Sequence, residues 1–283
     1  MRLYSLDTGN LKTEGRMMFS HQKRESWEPY YPADSEGLCN WAIRSMLIDT
    51  GIRKILIDTG IGTKKHPEYF NDYHLNGETS LYNSLFKAGC QPNDITDVIL
   101  THLHFDHCGG STVIDENGRL VLAFSNATYY VSEKQWDHAL TSGKEEAGSF
   151  IEDDFMPIES AGKLRLINEE GSLFPGIDIR ICNGHTRGLM LPFISHNNHI
   201  IVFAGDLVPS SAHIPDNHIM AYDIDPSLSF EEKKAFLHEA AREKYFLFLQ
   251  HDLYAEYCLV KFAENTVVID KKLKQDEICR GVF

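Results

Sequence analysis

Residues 102–107 of this chain read His-Leu-His-Phe-Asp-His, four side chains able to ligate a metal within six positions. Imidazole and carboxylate together suit zinc and its first-row neighbours. A ligand pair on one helix face would be spaced i, i+4, and this spacing is different. In extended or tightly looped backbone, His102 and His104 point the same way, as alternate residues do. They can grip one ion, while Asp106 and His107 in the following turn face a second. Gly109 and Gly110 are then expected to let the backbone fold sharply around the ions.

Each ion takes about four ligands, and a catalytic ion keeps one position for water. The loop supplies two per ion, so the others must come from downstream. His185 is the candidate to complete the first ion and His251 the second, with Asp206 bridging both through its two oxygens. Each follows a short apolar run. Residues 177–182 lead to His185, 200–204 to Asp206 and 245–249 to His251, just as 97–100 lead to His102. In open α/β sheets, ligand sites gather at the carboxyl ends of strands. The spacing therefore predicts that these side chains converge.

Further elements follow the same logic. A hairpin is predicted from 42–48 and 54–57 around a glycine-containing turn. A helix is predicted over 80–87, stopped near Gly89, and a strand over 127–131. Capping boxes at 132–135 and 229–232 predict helix starts, the second helix carrying Phe236, Leu237 and Ala240 on one face. Short strands alternating with amphipathic helices mean an α/β layered domain. A length of 283 residues suits a single domain over 1–283, with 1–41 forming an N-terminal strand and an aromatic loop. The run Trp-Glu-Pro-Tyr-Tyr-Pro at 27–32 reads as packing or a subunit contact in preference to a lid.

The net charge of −14 repels phosphate backbones and anionic lipid surfaces, so the expected partner is a small-molecule substrate, with no nucleic acid and no membrane. The aromatic loop is compatible with a homodimer. Six dispersed cysteines form no C-x-x-C pair and no disulfide framework. The opening residues lack an apolar leader, and no stretch approaches the ~20 apolar residues of a membrane helix. A reduced, cytoplasmic setting is expected. Seven of the fourteen histidines, at 21, 66, 74, 138, 196, 199 and 238, are assigned structural or surface roles. Asp-Thr-Gly triplets at 7–9, 49–51 and 58–60 read as turns, not as a protease pair, because Asp49 and Asp58 flank one short hairpin. Asp58 is a candidate to support the metal loop.

Taken in order, these segments resemble the metallo-β-lactamase superfamily. Thr-His-Leu-His-Phe-Asp-His-Cys-Gly-Gly at 101–110 is similar to its H-x-H-x-D-H signature. Asn-Gly-His185-Thr resembles its Gly-His-Thr element, and Phe-Ala-Gly-Asp206 the strand ending in a bridging aspartate. Gln-His251-Asp resembles its final histidine, and Asp58-Thr-Gly its early loop. The likeness runs from about 42 to 252. It implies a four-layer αβ/βα sandwich with two divalent metal ions, zinc first and iron, manganese or cobalt as substitutes. Within the superfamily the chain is most similar to the quorum-quenching lactonases and the methyl-parathion-type phosphotriesterases. Two positions depart from the pattern. Pro209 stands where the lactonases carry a tyrosine, and Leu189 where many relatives carry a histidine.

The expected chemistry is hydrolysis of a small ester or lactone by a hydroxide bridging two ions. Asp106 and Asp206 are the candidate catalytic residues, both also ligands. Asp106 is placed to shuttle a proton to the leaving oxygen. Phe105, His213 and Tyr222 are candidate substrate contacts, with His218 nearby. The competing readings are a phosphotriesterase on the same metal pair, a mononuclear iron persulfide oxygenase and a non-catalytic metal-binding protein.

Overall fold

The computed structural model describes every residue except 21, 65, 66, 144, 145, 147 and 281–283, with backbone alone at 67–69, 279 and 280. His21 and His66 thus lie outside the described residues. The chain forms two compact units, Met1–Asn10 with Ile43–Glu169, and Leu11–Ala42 with Glu170–Phe283.

The first unit is built on a mixed sheet in the order β1-β2-β3-β4-β7-β8. Its strands are β1 (Arg2–Glu14), β2 (Leu38–Asp49), β3 (Lys54–Ile57), β4 (Asp97–Ile99), β7 (Thr128–Ser132) and β8 (Leu164–Ile167). Strands β1 and β2 run on into the segment 11–42 of the second unit. A small hairpin of β5 (Thr112–Ile114) and β6 (Leu120–Leu122) stands apart from this sheet. The predicted hairpin is present, with β2 antiparallel to β3 in the register Met46↔Ile57 to Asp49↔Lys54. Strands β3, β4, β7 and β8 are parallel to one another. Ile55, Leu56, Ile57, Val98 and Ile99 are all buried, as expected for parallel strands covered on both faces. Leu47, Leu56, Val98, Leu100, Tyr129 and Phe155 share one core, each contributing about 1.5–3 kcal/mol of apolar burial.

The second unit carries a seven-stranded sheet in the order β15-β14-β13-β12-β11-β10-β9. These are β9 (Gly171–Phe174), β10 (Ile177–Cys182), β11 (Leu189–His196), β12 (His199–Phe203), β13 (Phe246–Phe248), β14 (Tyr257–Ala263) and β15 (Thr266–Leu273). Strand β11 is antiparallel to both β10 and β12, and β12 is parallel to β13. Strands β10, β12 and β13 therefore all end at the same sheet edge. The helix Pro226–Glu243 packs Phe236, Leu237 and Ala240 into this unit's core beside Leu189, Leu191, Val202 and Leu247.

Three local expectations need correction. Ser132 caps the helix Glu133–Thr141 by accepting from the Gln135 N–H, but the Gln135 amide is buried with no hydrogen-bond partner, so the return half of the box is missing. The long helix begins at Pro226, capped by Asp225 and with proline at its first position, ahead of the expected Ser229. Glu232, the other half of the expected box, accepts instead from the backbone N–H of Asn183 and Gly184. Asp7-Thr8-Gly9 lies inside β1 and is no turn. No helix among the described residues is long and apolar enough to cross a membrane.

Candidate metal centre

In the first unit, β4 delivers the chain into Thr101 and His102, and a four-residue helical turn, Phe105–Cys108, follows. The Asp58-Thr-Gly loop shapes this segment. Asp58 has a left-handed backbone, φ 57, and its N–H donates to the Ile99 carbonyl. Its fully buried carboxylate accepts from the Thr101 N–H at 2.7 Å, the Thr101 hydroxyl at 2.8 Å and His107 Nδ1 at 3.0 Å. The Thr59 N–H donates to the His107 carbonyl at 2.7 Å, and the Gly110 N–H to the Gly60 carbonyl at 2.8 Å.

Gly109 and Gly110 serve this docking. A Cβ at Gly109 would lie 2.2 Å from the Ile61 carbonyl oxygen, and one at Gly110 2.2 Å from that of Thr59. Gly109 keeps an ordinary helical φ of −57. Close backbone approach, not the sharp bend expected from the sequence, is what these glycines provide.

His102 Nε2 faces His104 Nδ1 at 3.1 Å, and His107 Nε2 lies 3.7 Å from Asp106 Oδ2. The remaining nitrogens are held from behind. His102 Nδ1 donates to the Thr101 hydroxyl at 3.0 Å, His104 Nε2 to Glu146 at 2.9 Å and His107 Nδ1 to Asp58. Asp106 is the most accessible of the four, with its side chain 17% exposed.

The second unit repeats the pattern. His185, Asp206 and His251 follow the ends of β10, β12 and β13. One Asp206 oxygen lies 3.3 Å from His185 Nε2 and the other 3.1 Å from His251 Nε2. His185 Nδ1 donates to Asp223 at 2.8 Å, and His251 Nδ1 to the Ala42 carbonyl at 2.8 Å. The loop is pinned at both ends. Ile224 N–H donates to the His185 carbonyl and Asp225 N–H to that of Gly184, while Glu232 takes the Asn183 and Gly184 amides.

These donor sets fit a divalent first-row metal. Five imidazoles each turn one nitrogen toward a neighbouring donor and give the other to an oxygen acceptor. That second bond fixes tautomer and ring orientation, the usual arrangement around metal-ligating histidine. Burying so many polar groups carries a large desolvation cost that a bound cation offsets.

The other expected site residues sit differently. Phe105 is buried and stacks on Phe70 at 5.2 Å, with Tyr73 edge-on at 4.9 Å. Tyr222 shares a 3.1 Å hydrogen bond with Thr13. His213 is buried with both nitrogens engaged, Nδ1 with Ser210 at 2.8 Å and Nε2 with the Met18 carbonyl at 2.8 Å. Its ring also stacks on Phe19 at 4.8 Å. Its bonds serve the packing of residues 18 and 210, so the substrate contact expected of it has no nitrogen left to make it. Burial lowers its pKa to about 3, the Lys233 ammonium adding to the effect and the Met18 carbonyl opposing it. His218 likewise gives Nδ1 to the Ala212 carbonyl. Pro209 accepts the His251 N–H through its carbonyl, and Leu189 lies in the core. Sequence reasoning missed Glu146, Asp223 and Glu232. Only Asp223 carried a signal, as the first residue of Asp-Ile-Asp-Pro at 223–226.

Residues 41–251 match the family model of the metallo-beta-lactamase superfamily. Over 191 residues, 67% of this chain and 69% of the relative, the sequence is 26% identical to the N-acyl homoserine lactonase AiiA of Bacillus thuringiensis subsp. kurstaki. A probable metal-dependent hydrolase from Staphylococcus aureus is 26% identical with a TM-score of 0.85, covering 96% of each chain. AidC, described as a dizinc quorum-quenching lactonase in complex with a product, has a TM-score of 0.78 at 24% identity, covering 96% of this chain and 94% of its own, a likeness of fold.

Proposed function

The chain belongs to the metallo-beta-lactamase superfamily, and on that premise we propose that it is a metal-dependent hydrolase of small esters or lactones, acting as a single domain over 1–283 on two bound divalent ions. The α/β fold class of that superfamily is the one observed. By the superfamily's ligand pattern, His102, His104, His185 and Asp206 would hold one ion, and Asp106, His107 and His251 the other, with Asp206 shared. The observation that carries the reading is Asp206, which offers one oxygen beside His185 and the other beside His251.

When bound, two such ions polarise a carbonyl oxygen and lower the pKa of water to about 7. The chain's own residues do the rest. His102, His107, His185 and His251 present Nε2, and His104 presents Nδ1, each aimed by the acceptor behind it. Asp106, partly open to solvent, takes a proton and returns it to the leaving oxygen. The acyl-homoserine lactones cleaved by AiiA-type relatives are the first substrates to try.

The test is zinc content per chain, followed on the same sample by turnover of an acyl-homoserine lactone, an aryl ester and an aryl phosphotriester. About two ions with lactone or ester turnover, both lost in Asp206→Ala, supports the reading. Turnover of the phosphotriester alone would move the chain to the other branch. Less than about a tenth of an ion after metal-replete purification would remove the dinuclear site.

A further inference from the structure

His104 differs from the other imidazoles of the centre in what stands behind it. Its Nε2–H donates to Glu146 Oε1 at 2.9 Å, and the second oxygen of the same buried carboxylate accepts from His138 Nε2 at 2.5 Å. His138 belongs to the helix Glu133–Thr141. Glu146 is thus shared by two imidazoles, one in the metal loop and one on a helix. The segment that carries it is docked on the same loop. The Phe105 N–H, one residue past His104, donates to the Ser149 carbonyl at 2.9 Å, and the Ser149 N–H donates to the Glu146 carbonyl at 2.9 Å. Phe150 lies against both rings, 5.1 Å from His104 and 5.9 Å from His138.

We propose that Glu146, steadied by His138, is a positioning residue that sets the affinity of the ion held by His102 and His104. This rests on the dinuclear reading above. A carboxylate accepting from Nε2–H fixes the tautomer that leaves Nδ1 as the donor, and its charge makes that donor more basic. Without Glu146 the ring is free to present Nε2, a different atom in a different place, and His102 loses its partner across 3.1 Å. The loop's other ligand pair, Asp106 and His107, is not disturbed, because His107 is held by Asp58 and not by Glu146. The effect is therefore confined to one of the two ions.

The experiment compares wild type, Glu146→Ala, Glu146→Gln and His138→Ala, each stripped, reloaded with zinc and titrated with a competing chelator while released zinc is followed optically. Wild type should release two ions in two steps. In Glu146→Ala the His102/His104 ion should lose roughly 10–100-fold in affinity while the other is unchanged. Glu146→Gln keeps an acceptor oxygen for His104 and should recover most of that loss. His138→Ala should fall between. Circular dichroism of the stripped proteins checks folding, and if Glu146→Ala does not fold, the ordering of Glu146→Gln and His138→Ala against wild type decides. Two unchanged affinities in all folded variants, or equal loss of both ions, would overturn the proposal. A wild type that never holds two ions would instead remove the dinuclear reading beneath it.

Discussion

His213 gives a sharp test of how the loop after Asp206 is held. The ring is buried, stacked on Phe19 and bonded at both nitrogens. Burial lowers its pKa from 6.5 to about 3. In the unfolded chain the imidazole takes a proton below about 6.5, whereas in the folded protein it stays neutral until about pH 3. A depressed folded-state pKa means stability that is complete above 6.5 and is lost as the pH falls toward 3. At pH 4.5, two units below the unfolded value, the loss is about 2.7 kcal/mol at ~1.36 kcal/mol per unit. His213→Gln keeps an amide able to reach the Met18 carbonyl and has no titration in this range. Urea unfolding of the stripped proteins at pH 7.5 and 4.5 gives the assay. Many groups contribute to the wild-type slope, but they contribute equally to the variant. The quantity of interest is the change, between the two pH values, in the stability gap between variant and wild type. It should shift by about 2–3 kcal/mol in favour of His213→Gln at the lower pH. A gap that stays constant within ~0.5 kcal/mol would refute the account of a ring held neutral by burial.

Asp223→Ala removes the acceptor behind His185 Nδ1 and should weaken zinc binding roughly 10–100-fold, read by chelator competition. Asp58→Ala strips three donors of one buried carboxylate and should cost about 3–5 kcal/mol of stability in urea unfolding, along with zinc affinity. Lys233 is buried and donates to the carbonyls of His213, Pro215 and His218 at 2.7–3.0 Å, so Lys233→Met should orphan three acceptors. The expected cost is about 3 kcal/mol, or roughly 6–12 °C in melting temperature by calorimetry. Gly110→Ala would place a methyl 2.2 Å from a backbone oxygen and should yield little folded, zinc-loaded protein on gel filtration, whereas Gly118→Ala, with nothing nearby, tests positive φ alone.

The metal loop was legible because its four donors are adjacent in sequence, and the downstream donors because each follows an apolar run that becomes a strand. Strand ends are fixed by where hydrophobicity stops, so this part of the site is written locally. The supporting shell is not. Glu146 meets His104 across 42 positions and Asp223 meets His185 across 38. Glu146 carries no local mark of such a partner, and Asp223 only its place at the head of Asp-Ile-Asp-Pro. Ser229 and Glu232 show the opposite failure, a local motif overridden by its surroundings. Asp225 followed by Pro226 is the stronger helix start, and the amides of Asn183 and Gly184 recruit Glu232 away. Gly109 and Gly110 stand where the sequence pattern points, but their role is space against a neighbouring loop, which has no signature along the chain.

The acceptors behind the five imidazoles also bear on how metal enters. A zinc-finger peptide must fold as it binds, and its affinity is discounted by that ordering. Here each ring has an oxygen acceptor at its far nitrogen, from Thr101, Glu146, Asp58, Asp223 and the Ala42 carbonyl, which favours the tautomer with its proton there. That tautomer leaves the near nitrogen's lone pair for an ion. On the proposed reading, rings oriented in this way leave little side-chain entropy to lose on binding, and the rate of loading is expected to follow encounter and dehydration of the cation.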